Sequence, residues 1–147
     1  IPLSRTINPS NTTLNIDGKT FTNGFCINVG NPHIVFFVKD CFEYDLNSIG
    51  PKIENHELFP EKTNVTFAQV DNKNNIKVNV WERGAGLTKA CGTAACAAAV
   101  AGFVNKLTDK NVNIKFKEGT LKIKYEENKN IFMTGPVSEV KKITFKI

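Results

Sequence analysis

Cys91-Gly92-Thr93 stands at the head of the run from Ala94 to Ala101, in which only Cys96 and Val100 are not alanine. Alanine is the strongest helix former, so the run predicts a helix from Cys91 to about Lys106. The Cys91 thiol and the Gly92 and Thr93 amides then lie at its N-terminus, where unpaired N–H groups and the helix dipole favour negative charge. A thiol so placed is shifted toward the thiolate, a usable base or nucleophile. Glu82-Arg83 lies nine residues upstream, ahead of Gly84 and Gly86. The chain has seventeen lysines and two arginines, Arg5 and Arg83. Where a plain positive charge suffices, it uses lysine. An arginine at 83 therefore points to planar, bidentate carboxylate recognition. The combination suits a small charged molecule held by its carboxylate while a thiolate acts on it.

Three further residues have the right chemistry in less telling places. Asn31 and Asn64 each offer a donor and an acceptor, which suits a ligand bearing ammonium and carboxylate groups, although asparagine is also a common turn residue. His33 follows Pro32 at the start of a strand, and a histidine there can tune a neighbouring ionisation. Cys26, Cys41 and Cys96 sit among apolar neighbours and read as small buried hydrophobes. No Cys-x-x-Cys spacing suggests a metal site.

The elements that must position these groups are short. Asp17-Gly18 is a turn pair inside a hairpin from Thr13 to Thr22. Phe25 to Val29 and Ile34 to Val38 read as strands on either side of Gly30-Asn31-Pro32. Asp45 can cap a helix carrying Leu46, Ile49, Ile53 and Leu58, interrupted near its start by Gly50-Pro51, with His56 on its surface. Val65 to Val70 and Ile76 to Trp81 form a second hairpin, and four strands run from Val112 to the end. The helix from Cys91 is apolar nearly all round, which places it in the middle of the structure. Periodicity alone gives a mixed α+β domain.

Composition sets the bounds. The 147 residues are 41% hydrophobic and 22% charged, the values of one globular domain. The net charge of +5 raises the question of nucleic acid. Its excess lies wholly in residues 105–147, with ten lysines against five acidic residues. There Lys115, Lys117, Lys122 and Lys124 alternate with Ile114, Phe116, Leu121, Ile123 and Tyr125, the pattern of a sheet with one wet face. The tract has no arginine for base contacts, so no nucleic-acid partner is expected. No run approaches the roughly 18 apolar residues of a membrane span, no basic-then-apolar leader is read, and the cysteine usage suits a reduced, cytoplasmic setting. A start at Ile1 is expected of a fragment or a processed chain.

The stretch Glu82 to Ala97 resembles the second catalytic motif of diaminopimelate epimerases, and Gly30-Asn31-Pro32-His33 and Pro60-Glu61-Lys62-Thr63-Asn64-Val65 match two more pieces in kind and order. The resemblance runs over nearly the whole chain but to the C-terminal half of that enzyme only. It implies a half-fold of antiparallel strands wrapped around one buried central helix, with residues 1–147 as a single domain and 137–147 crossing to the N-terminal half. It also implies epimerisation of LL- to meso-diaminopimelate without cofactor or metal, for lysine and peptidoglycan synthesis. Cys91 would be one of two acid/base thiols, and the isolated chain would be inactive. Gly92 and Thr93 would bind the α-carboxylate, Arg83 the distal carboxylate and Glu82 an ammonium group while biasing the thiol. Asn31 and Asn64 would be substrate ligands, and His33 would lie near a catalytic thiol. The partners implied are diaminopimelate, the N-terminal half and, for the complete enzyme, a second copy in a homodimer. The family often has glycine where this chain has Ala94, a change of one methyl group. The alternative is a racemase or isomerase of the same fold acting on another amino acid. Proline racemases resemble the chain at Cys-Gly-Thr, but proline has no distal charged group for Arg83. A non-catalytic binding module would leave Cys91 inert and Arg83 dispensable.

Overall fold

The computed structural model describes residues 12–88, 91–126, 130–135 and 140–144. Ten strands and two helices follow in the order β1 (Thr12–Ile16), β2 (Lys19–Asn28), β3 (Pro32–Phe37), α1 (Leu46–Glu54), β4 (Asn64–Asn72), β5 (Asn75–Glu82), β6 (Gly86–Thr88), α2 (Gly92–Val104), β7 (Asn111–Phe116), β8 (Gly119–Tyr125), β9 (Asn130–Thr134) and β10 (Val140–Thr144). They form one sheet in the order β1-β2-β3-β4-β5-β7-β8-β9-β10, with β6 paired to β5. The fold class is α+β, as expected. No helix among the described residues is long and apolar enough to cross a membrane.

The sheet curls around α2, which touches every strand from β2 to β9 except β6. Residues Ala94 to Gly102 are all buried. Alanine makes this possible, because a helix with side chains of one carbon lets strands approach from all sides at close-packed density. Strands β2 to β4 are buried on both faces over much of their length, while β5 alternates between buried and half-buried residues. Phe25, Ile27, Val35, Ala68, Val78 and Val80 face α2, while Cys26, Ile34, Phe36, Val65 and Phe67 face a second core under α1. Phe21, Phe36, Phe67 and Tyr44 stack in that second core, the last two with centroids 4.8 Å apart. Two-sided burial explains the near-continuous apolar runs of β2 and β3. Farther along, β7 and β8 keep one wet face, where Lys115, Lys117, Lys122 and Lys124 are exposed.

The structure amends several expected elements. Most pairings are antiparallel, but β3 pairs parallel to β4 and β5 parallel to β7. Each parallel pair needs a crossover; α1 lies in the first and α2 in the second. The expected hairpin arm and the Phe25 strand are one continuous β2. Asn23 bends it with a φ of 59°, and an ideal Cβ on Gly24 would come within 2.8 Å of Ile34 and Phe36. Asp45 does cap α1, accepting from the Asn47 N–H. The helix passes through Pro51 and stops at Glu54, short of Leu58. The Asn55 side chain donates to the Pro51 carbonyl there. His56 is thus off the helix surface, its Nδ1 accepting from the Leu58 N–H. Strand β6 was not expected, being three residues long and beginning with glycine. Of the segment 137–147, only 140–144 lie among the described residues, where β10 pairs antiparallel with β9.

Candidate active site

The parallel pairing of β3 and β4 sets His33 directly beside Asn64, so both asparagine motifs start at one end of the sheet. Antiparallel β5 ends there too, with Trp81 opposite Val65, which delivers Glu82 and Arg83 to the same edge. The N-terminus of α2 completes the group through a chain of contacts. Cys91 Sγ lies 3.5 Å from Thr93 Oγ1, Asn31 Nδ2 donates to that oxygen at 3.4 Å, and Asn31 Oδ1 lies 3.0 Å from His33 Nε2.

Cys91 is the N-cap residue of α2, with extended backbone and no side-chain capping bond. Serine, threonine or aspartate there would stabilise the helix by about 1 kcal/mol. A thiol gives that up, and it leaves the Gly92, Thr93 and Ala94 N–H groups without acceptors inside the helix. Such a turn binds a carboxylate. Gly92 is also closely covered, because an added Cβ would come within 3.1 Å of Met133 Sδ and Cε. Cys91 is half-buried while Cys26, Cys41 and Cys96 are buried, and none is in a disulfide. Burial pushes the Cys26 and Cys41 thiols up to about 11 and Cys96 to about 12.

His33 is 1% exposed. Burial, reinforced by the charge of Arg83, lowers its pKa to about 3, so the ring is neutral at physiological pH. Because the Asn31 amide nitrogen faces Thr93, its oxygen faces the histidine, and Nε2 carries the ring proton. Nδ1 is left a buried acceptor with no partner among the described residues. Among the described residues, His33 therefore reaches Cys91 through Asn31 and Thr93.

Asn64, also 1% exposed, spends both ends of its amide on backbone. Its Oδ1 accepts from the Arg83 N–H at 2.7 Å, and its Nδ2 donates to the Pro32 carbonyl at 2.8 Å. It ties the Asn31 turn to the Arg83 turn. The Arg83 guanidinium donates one N–H to the Glu61 carbonyl at 3.1 Å. Glu82 is half-buried, and no hydrogen bond or ion pair of its carboxylate occurs among the described residues. All seven expected site residues (Asn31, His33, Asn64, Glu82, Arg83, Gly92 and Thr93) thus gather with Cys91 at one end of the sheet. Sequence reasoning missed Glu54, whose buried carboxylate accepts from Trp81 Nε1 and from the Gly84 N–H. Its signal was faint, one acidic residue in an apolar helical pattern.

The concavity on β7–β9, about 550 Å³, contains none of these residues. Residues 25–140 match the family model described as "Diaminopimelate epimerase". The chain belongs to the diaminopimelate epimerase family. It is 55% identical over 150 residues to the diaminopimelate epimerase of Pelagibacter ubique, covering 100% of this chain and 55% of that one. With the diaminopimelate epimerase of Moorella thermoacetica it shares 44% over 142 residues, 95% of this chain and 50% of the relative. The chain thus spans about half the length of the curated relatives it matches. Among solved structures, a phenazine biosynthesis protein of the PhzF family from Enterococcus faecalis superposes with a TM-score of 0.52 at 14% identity, covering 71% of this chain and 37% of that one. A PhzC/PhzF protein from Clostridium difficile gives 0.51 at 18% identity, with the same coverage. These two similarities are of fold alone.

Proposed function

We propose that the chain is the C-terminal half of an enzyme that epimerises LL-diaminopimelate to meso-diaminopimelate without pyridoxal phosphate or metal. Cys91 is one of its two acid/base thiols, and the other comes from the N-terminal half. The observation that carries the reading is the placement of Cys91 as an uncapping N-cap of α2, beside free helix N–H groups and on the same sheet edge as Arg83.

In one direction the Cys91 thiolate takes the α-proton, and the electron pair of the broken C–H bond passes into the α-carboxylate. A thiol on the opposite face then gives a proton to the same carbon, and the configuration inverts. In the other direction Cys91 is the donor. The Gly92 and Thr93 amides hold the α-carboxylate and stabilise its extra charge as the proton leaves. Arg83 grips the distal carboxylate in bidentate fashion, and Glu82, with no protein partner among the described residues, meets an ammonium group. Asn31 contacts the substrate from its place between His33 and Thr93. Asn64 does so from beneath the Arg83 turn that it braces. His33, held neutral, fixes the Asn31 amide and lies near a catalytic thiol, whose ionisation it tunes. The product serves lysine and peptidoglycan synthesis in the cytoplasm, and the complete enzyme is a homodimer. The relatives' names support the link to lysine synthesis.

In the complete enzyme, Cys91→Ala is expected to abolish interconversion of the two stereoisomers, while Cys96→Ala leaves most of it. Substrate should still bind the Cys91→Ala protein, because the carboxylate contacts are backbone amides. Full epimerase activity without Cys91 would overturn the assignment.

A further inference from the structure

Glu54 ends α1 and is 6% exposed. The site is a poor one for a carboxylate. Burial strips its hydration, and the C-terminal end of a helix carries partial negative charge. No lysine or arginine side chain pairs with it among the described residues. Two N–H donors hold it instead: Trp81 Nε1 gives to Oε1 at 2.9 Å and the Gly84 backbone to Oε2 at 3.0 Å. These donors flank Glu82-Arg83 on the β5–β6 hairpin.

The approach of α1 to that hairpin is close by necessity. An ideal Cβ on Gly50 would lie 2.4 Å from Trp81 Cγ, so only glycine lets the helix backbone rest on the indole. From the other side, Asn64 accepts the N–H of Arg83 itself. The main chain at 83 and 84 is therefore fixed by buried acceptors from two different elements, at a turn where Gly84 has a φ of +76°. A hairpin tip that only had to reverse the chain would not need a buried carboxylate.

We propose that Glu54 is the positioning residue for Arg83, clamping the β5–β6 turn so that the guanidinium meets the far carboxylate of the substrate at a fixed distance from Cys91. This rests on the role of Arg83 proposed above. Glu54 itself touches no substrate, so its loss acts on binding of the distal group rather than on proton transfer. Glu54→Gln keeps the volume but turns one acceptor toward an N–H donor as an NH2 group, which opens one side of the clamp.

The test compares Glu54→Gln, Arg83→Ala and the double variant in the complete enzyme. Expected is a rise in KM for diaminopimelate of about tenfold for Glu54→Gln with kcat little changed, the signature of lost ground-state binding. In the double variant KM should equal that of Arg83→Ala, because the clamp then has nothing to position. A residue that only supported stability would lower the melting temperature without this non-additivity. If Arg83→Ala leaves KM unchanged, the reading of Arg83 fails. If Arg83→Ala raises KM but Glu54→Gln does not, or if the two effects multiply, the Glu54 proposal is overturned. Glu54→Asp keeps the charge but falls one methylene short of the donors, and it supplies the same readout where the glutamine variant does not fold.

Discussion

At the scale of single residues, four cysteines divide into two chemical kinds. Cys26, Cys41 and Cys96 are at most 1% exposed, and their burial, the largest cause in each case, shifts them to about 11, 11 and 12. Raised values mean that these thiols stay protonated, and so unreactive, through the neutral range. Cys91 is half-buried at a helix start. Iodoacetamide at neutral pH should therefore add one label to the native chain, at Cys91, and four after denaturation. Mass mapping after digestion decides it, and labelling of Cys96 ahead of Cys91 would contradict the placement. Substrate should protect the same thiol in the complete enzyme. The place of Cys91 at a helix start was legible in the sequence because Gly-Thr and an alanine run follow it. The bracing role of Asn64 was not, since the letter alone does not show that its amide holds the Arg83 N–H and the Pro32 carbonyl.

At the scale of elements, hydrophobic period and turn pairs located the strands well, because alternation and Asp17-Gly18 are local signals. The parallel pairings were less visible. They depend on how a helix crosses over the sheet, which no window of ten residues contains, and the exit of α1 at Glu54 depends on the Asn55 side chain rather than on apolar spacing. Gly50 offers a measurement at this scale. Replacing glycine by alanine in a helix ordinarily stabilises by about 1 kcal/mol. Here the new Cβ meets Trp81 Cγ at 2.4 Å and Cδ2 at 2.5 Å, atoms of a rigid ring that must move as a body. Gly50→Ala is expected to destabilise instead, by about 1–3 kcal/mol, as read from urea unfolding. A neutral or stabilising result would show that α1 can lift from the indole at little cost.

At the scale of the whole molecule, the two ends of the sheet among the described residues are β1 and β10, each with a strand on one side only. Such edges invite pairing, and we expect the N-terminal half to dock near them and bring the second thiol. Within this chain no cysteine can substitute. Cys96 lies about 7.5 Å farther along the α2 axis and is buried. The isolated chain should accordingly show no epimerase activity, and mixing it with the separately produced N-terminal half should restore some. Turnover by the chain alone, free of contaminating enzyme, would refute the two-thiol account. The parallel crossovers also bear on the order in which the protein assembles. His33 meets Asn64 only after the chain from 38 to 63 has closed over the sheet, and Asn31 meets Thr93 only when α2 has been threaded into its centre. Such contacts are distant in sequence and carry the full entropy of loop closure. The hairpins β1–β2 and β7–β8 need no such closure. A chain that has formed its hairpins thus has none of the candidate site, which assembles only with the long-range contacts, in the slow part of folding.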